Sequence, residues 1–210
     1  MALKSIKWTV VVLGRWNPAI FTPAGIRSRF FGLAEETPIE VMVALDDIVP
    51  NKSRHDEMVV WADQQRLAVE LEKCDFPTLK RAIDRVLSIM GSLPETPMSA
   101  VGVNVNYEVE ADDHRLLDLV GGGPDGRLSD AGYEIAGRQI VRTLKIDKGV
   151  VNLVVKAAEE WRVLLNFEYR SKTRTELQEW LAALAGTVEA HTHKLLEPVV
   201  GFSAGEITNG

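Results

Sequence analysis

A single cysteine, Cys74, stands in 210 residues. One thiol excludes an internal disulfide and suits a reducing compartment, so a cytoplasmic location is expected. Cys74 is also a poor reactive thiol, because Glu72 and Asp75 beside it disfavour the thiolate. The histidines are few and scattered, at positions 55, 114, 191 and 193. His191 and His193 sit two apart on an expected helix, so they diverge by about 200° and cannot chelate one ion. Asp112, Asp113 and His114 could supply part of a metal site, but the two aspartates are accounted for as a helix cap. No metal and no cofactor is therefore expected. Long apolar runs are missing too: nothing approaches the roughly 18–20 residues that cross a bilayer. The short run Thr9 to Leu13 is stopped by Gly14-Arg15, so it reads as a first strand rather than a leader segment.

Catalytic signatures are equally sparse. Ser28, Ser53 and Ser99 carry no surrounding nucleophile motif. Asp46-Asp47 reads as a turn, and Glu108 and Glu110 as outward positions on one strand face. The stretch Gly121-Gly122-Gly123-Pro124-Asp125-Gly126-Arg127 follows an expected helix and precedes an expected strand, without Lys-Ser/Thr. A phosphate loop has the opposite order, so this stretch is read as a flexible connection. Leu93-Pro94-Glu95-Thr96-Pro97 resembles a sortase signal but lacks its glycine and is internal.

Positive charge is in the minority. Net charge is −6, which opposes generic binding to phosphate backbones. The balance is uneven. Residues 1–34 hold Lys4, Lys7, Arg15, Arg27 and Arg29 and no acid, whereas residues 96–210 carry 17 acids against 12 bases.

What is present is a pattern that recurs at an offset of roughly 95 residues. Ser5 to Leu13 opens the first copy, with Ile6, Trp8, Val10 and Val12 alternating. Val101 to Glu110 opens the second, with Val101, Val103, Val105, Tyr107 and Val109 on one face and Asn104, Asn106, Glu108 and Glu110 on the other. A short helix follows each: one capped by Thr22-Pro23 with Ile26, Phe30 and Leu33 at helical spacing, the other over His114 to Leu119. Three strands come next. Ile39–Leu45 corresponds to Tyr133–Ile146, and the Met58–Trp61/Leu67–Leu71 hairpin corresponds to Val150–Ala157/Trp161–Tyr169. His55 falls in a loop, Pro50 to Glu57. A longer helix closes each copy. Asp75 caps the first over Leu79, Ile83, Val86, Leu87 and Met90; Thr173 or Thr175 starts the second over Leu177, Trp180, Leu181, Leu184, Val188 and Leu195.

The expected fold is therefore α+β: two tandem β-α-β-β-β-α units, 1–93 and 94–210. They share an antiparallel sheet with the helices on one face, as one compact, saddle-like unit. Gly91 to Pro97 joins the units and is too short to separate independent domains. In architecture only, this doubled unit resembles the saddle of the TATA-binding-protein-like fold. No residue motif of that family is matched, so no function comes with the resemblance. A helix over residues 76–90 argues against a single helix-grip pocket.

The most unusual surface candidate runs from Gly14 to Phe31, where Arg15, Trp16, Arg27 and Arg29 interleave with Phe21, Phe30 and Phe31. Arginine and tryptophan are enriched at interface hot spots and also serve single-stranded nucleic acids. The competing reading folds Trp16 and Phe21 under as a staple for the helix that follows. The expectation is a non-enzymatic protein-interaction or accessory subunit, of adaptor or inhibitor type, in a bacterial-type cytoplasmic complex. It would bind a protein partner through Arg15, Trp16, Arg27 and Arg29. Two alternatives are nucleic-acid binding through the open sheet, against which Glu108, Glu110 and Glu168 count, and a small-ligand or enzymatic pocket between sheet and helices.

Overall fold

A computed structural model describes residues 3–43, 50–109, 114–203 and 206–208. Its strands are β1 (Leu3–Ser5), β2 (Trp8–Gly14), β3 (Glu40–Met42), β4 (Lys52–His55), β5 (Met58–Ala62), β6 (Arg66–Leu71), β7 (Met98–Val109), β8 (Arg138–Ile146), β9 (Gly149–Ala157), β10 (Trp161–Arg170) and β11 (Ile207–Thr208). The helices are α1 (Pro23–Gly25), α2 (Phe76–Ser92), α3 (His114–Val120), α4 (Asp125–Asp130) and α5 (Arg174–Leu195). The fold is α+β. All the strands form one large open sheet in the order β3-β4-β5-β6-β2-β7-β10-β9-β8, with β1 on β7 and β11 on β1. Every pairing is antiparallel except β1–β11.

Alternation decides which face of the sheet is covered. Val101, Val103, Val105, Tyr107 and Val109 of β7 are buried, while Asn104 and Asn106 are half-buried and Glu108 is exposed. The buried set belongs to one continuous core that includes the apolar stripes of α2 and α5. Those helices pack on each other, α2 lying against β2 and β6 and α5 against β7 and β10. The start of α2 is well specified. Asp75 accepts from Thr78 N at 2.8 Å, and Pro77 occupies the first turn, where its missing N–H costs nothing. Thr173 precedes α5 but makes no side-chain cap; Ser171 Oγ accepts from Thr173 N instead, at 2.9 Å.

Four local expectations need correction. First, the opening strand does not run unbroken from Ser5. Leu3 pairs with Val109 and Ser5 with Tyr107, but Thr9 pairs with Asn104, so one extra residue is accommodated around Ile6-Lys7. The slip flips the alternation: Leu3 and Ser5 are buried before it, Trp8, Val10 and Val12 after it, and Ile6 is only half-buried. Second, the Pro50–Glu57 stretch is not simply a loop, because Lys52–His55 is β4. Its polar sequence hides it, yet Asp56 and Glu57 at φ 51° and 61° make the two-residue turn that returns the chain into β5. Third, β8 begins at Arg138 rather than Tyr133, which is 67% exposed. Fourth, the glycine-rich stretch does not lead straight into that strand. Asp125–Asp130 forms α4, and Asp125 holds Arg138 at 2.6 Å. Asp46, Asp47, Glu110, Asp112 and Asp113 lie outside the described residues.

Candidate functional site

The face of the sheet away from the helices carries a continuous polar row. Register places Thr143, Asn152, Asn166, Asn104 and Thr9 directly opposite one another on β8, β9, β10, β7 and β2. Thr143 Oγ1 donates to Asn152 Oδ1 at 2.7 Å, and Asn152 Nδ2 donates to Asn166 Oδ1 at 2.9 Å. Asn166 Nδ2 then donates to Asn104 Oδ1 at 2.7 Å, and Asn104 Nδ2 to Thr9 Oγ1 at 2.8 Å. Each amide is thus used once as donor and once as acceptor, and all four bonds run the same way. Beside this row, Gly102 brings the sheet surface down into a shallow hollow of about 140 Å³ edged by Val11, Leu13, Glu168 and Arg170. A Cβ on Gly102 would stand 3.1 Å from Phe167 O, so the hollow depends on glycine.

The charges on this face are largely neutralised locally. Lys52 pairs with Glu70 at 3.1 Å, Arg54 with Glu40 at 3.1 Å and with Glu72 at 2.7 Å, and Arg170 with Glu168. Trp61 Nε1 donates to Glu70 at 2.9 Å, and Arg66 lies 4.6 Å from the Trp61 ring centre. Burial disfavours the Glu70 carboxylate, but the Trp61 and Lys52 hydrogen bonds, with the Lys52 and Lys7 charges, outweigh it. The net effect holds the carboxyl below its usual range.

At one end of the sheet lies the Arg15–Phe31 segment. Gly14 ends β2 where a Cβ would be 2.5 Å from Pro97 O, and the backbone of Arg15 and Trp16 is tied to Pro97 O and Gln64 O. Trp16 is 4% exposed; it donates to Val12 O at 3.1 Å and meets Phe21 edge-on at 5.5 Å. The indole is therefore a support beneath the segment, as in the staple reading. Arg15 is exposed above it, beside a shallow hollow shared with Gln64 and Gln65. Arg27 and Arg29 come from a separate element, the π-helical turn Ile26–Phe30, which rests on α2 through Ile26 and Phe30. Arg27 is half-buried and Arg29 exposed, and neither they nor Arg15 has an ion-pair partner among the described residues.

A cleft on the helix side, about 280 Å³, opens between the β8–β9 turn and α5, against Trp180, Leu184, Glu179 and His191. Glu179 and His191 are twelve positions apart on one helix, about 18 Å along its axis, so they cannot serve one reacting atom. Cys74 is buried, its Sγ 3.4 Å from Ile6 O; burial and then Asp75 push its thiol pKa up, against a backbone hydrogen bond. Ser5 Oγ, Trp8 Nε1, Tyr107 OH and Thr192 Oγ1 are buried and find no partner among the described residues. No group of three or more metal-ligating side chains occurs among them either, and no helix is long and apolar enough to cross a membrane.

Sequence reasoning marked Asn104 as outward-facing but missed the amide row, whose signal is one Asn or Thr per strand at positions that only register aligns. No protein-family model matches the chain, and no curated protein shows significant sequence similarity to it.

Proposed function

We propose that the chain is a non-enzymatic protein-interaction module, an accessory subunit of adaptor or inhibitor type in a cytoplasmic complex. It holds a protein partner on the open sheet face and on the Arg15–Phe31 segment. The observation that carries this reading is the amide row across five strands. It makes the centre of the open face a self-satisfied platform, and the hollow beside it is shallow. Such a surface suits a broad partner better than an enclosed substrate. Arg15, Arg27 and Arg29 add positive charge without carboxylate partners among the described residues, and Trp16 fixes the segment from below. Nucleic acid is the weaker reading, because Lys52, Arg54 and Arg170 are already paired with carboxylates on that face.

The finer architectural reading belongs here as well. We take the sheet as two β-α-β-β-β-α units, 1–93 and 94–210, meeting at β2 and β7. The strand order supports it in part: outward from that pair, β6-β5-β4 on one side mirrors β10-β9-β8 on the other, and α2 mirrors α5, so β4 rather than the Ile39–Leu45 stretch is the counterpart of β8 and β3 is an extra edge strand of the first unit. The test of function is capture from the native host with identification by mass spectrometry. Arg15→Ala with Arg29→Ala is expected to weaken capture at least tenfold, about 1.4 kcal/mol, while leaving the melting temperature unchanged. Undiminished capture would remove the segment from the interface. Salt-dependent RNA binding lost in the same variant would favour the nucleic-acid reading.

A further inference from the structure

The sheet ends on one side in β3, three residues long, and on the other in β8, nine residues long and paired, among the described residues, with β9 alone. Along β8 every second residue turns its N–H and C=O away from β9, leaving a template for another strand. No proline or bulge interrupts this edge, and Val141 and Leu144 are 49% and 36% exposed, so charge is its guard against self-pairing. It is basic. Arg138, Arg142 and Lys145 are its charged residues, with no acid. Arg138 is held by Asp125, but Arg142 and Lys145 have no ion-pair partner among the described residues.

We infer that β8 is a strand-addition site for an extended acidic segment of a partner protein, a reading that rests on the proposed interaction function. Charge selects the occupant. A second copy of β8 added antiparallel in full overlap, 138 opposite 146, would set Arg142 against its own counterpart, which like-charge pairing disfavours. An acidic strand gains two ion pairs and the backbone ladder. Arg142 and Lys145 are three residues apart and so project from opposite faces; the incoming strand therefore carries acids at the same spacing. Between them it meets Leu144 with an apolar residue and Thr143 with a hydrogen-bond donor. A donor suits the observed polarity of the amide row, in which the Thr143 hydroxyl hydrogen is committed to Asn152 and its oxygen is left to accept.

The probe is the acetylated peptide Thr-Glu-Val-Asn-Glu-Val-Thr, its control the same peptide with both glutamates replaced by lysine. Amide hydrogen exchange is followed across the whole chain. With the acidic peptide, alternate amides of 138–146 are expected to slow at least tenfold, and the lysine peptide is expected to do nothing. In Arg142→Glu with Lys145→Glu, a surface variant whose fold is checked by its melting temperature, the preference should reverse. Equal response to both peptides overturns the inference. So does protection confined to another region, or none on β8 at about 1 mM peptide, a Kd worth about 4 kcal/mol. A concentration-dependent dimer that protects β8 without peptide also overturns it, in favour of a second copy. If the charge-reversed protein still captures its native partner at wild-type level with β8 amides unprotected, the edge assignment falls while the interaction-module reading stands. Loss of capture only in the Arg15/Arg29 variant points the same way.

Discussion

Asn104 and Asn166 face one another across the β7–β10 pair, and the Asn166 amide donates to the Asn104 carbonyl at 2.7 Å while its own carbonyl accepts from Asn152. Asn166 is therefore the middle link of the row, with both neighbours depending on it. Asn166→Ala leaves the Asn104 oxygen and the Asn152 amide unpaired on a half-buried surface. A loss of about 1–2 kcal/mol is expected in urea melts. A double-mutant cycle between Asn104→Ala and Asn152→Ala, which do not touch, should give a non-zero coupling through Asn166. Simple additivity would mean that the row acts as separate pairs.

Tyr107 gives a change of opposite sign. Its hydroxyl is buried without a partner, and burial, followed by the charges of Cys74 and Glu189, pushes its pKa up. Tyr107→Phe removes an unsatisfied polar group and keeps the ring against Trp8. Stability should rise by about 1 kcal/mol. A fall in the unfolding midpoint would mean that the hydroxyl has a buried water as partner.

Leu184 and Gly149 test how α5 covers the sheet. Leu184 is 3% exposed, so Leu184→Ala should cost about 2–5 kcal/mol. A Cβ on Gly149 would stand 2.7 Å from the Trp180 indole nitrogen and 2.8 Å from Glu168 O. Gly149→Ala should therefore lower the melting temperature although the backbone there needs no glycine torsion. Indifference at both sites would detach α5 from β9 and β10.

Glu70 sets a pH dependence. Its folded pKa lies below the usual 4.5, so its contribution to stability is fully present above that value and fades as pH falls through the folded pKa. Wild type should exceed Glu70→Gln in unfolding midpoint at neutral pH, and the difference should close in acid. A difference that persists unchanged at low pH would show that shape, rather than charge, is what the carboxyl supplies.

Where apolar periodicity is strong, the sequence is readable. The alternation of Val101 to Val109 and the stripes of α2 and α5 need no partner to be recognised, because burial is imposed on each element separately. Lys52–His55 fails that test. Its pairing is backbone-driven between two neighbours, and Ser53, its buried residue, is not apolar. The slip at Ile6-Lys7 is invisible because it is defined only against β7. Trp16 illustrates a different limit. An arginine-flanked tryptophan has the same composition as a hot spot or as a buried support, and only the path of Pro18–Phe21 decides that the indole turns inward. The amide row and the open edge of β8 are properties of strand order, which no single segment encodes.

The five-membered row has one further property. Because all its bonds point from Thr143 toward Thr9, turning Asn166 over would set donor against donor on one side and acceptor against acceptor on the other, and turning Asn152 or Asn104 would set like groups together on the side facing Asn166. The three asparagines can reverse only together, which gives the row two polarities, like a compass needle. The chemical group that meets Thr143 at the sheet margin, donor or acceptor, selects between them. That choice is written as the orientation of the Thr9 hydroxyl, four strands and about 19 Å away.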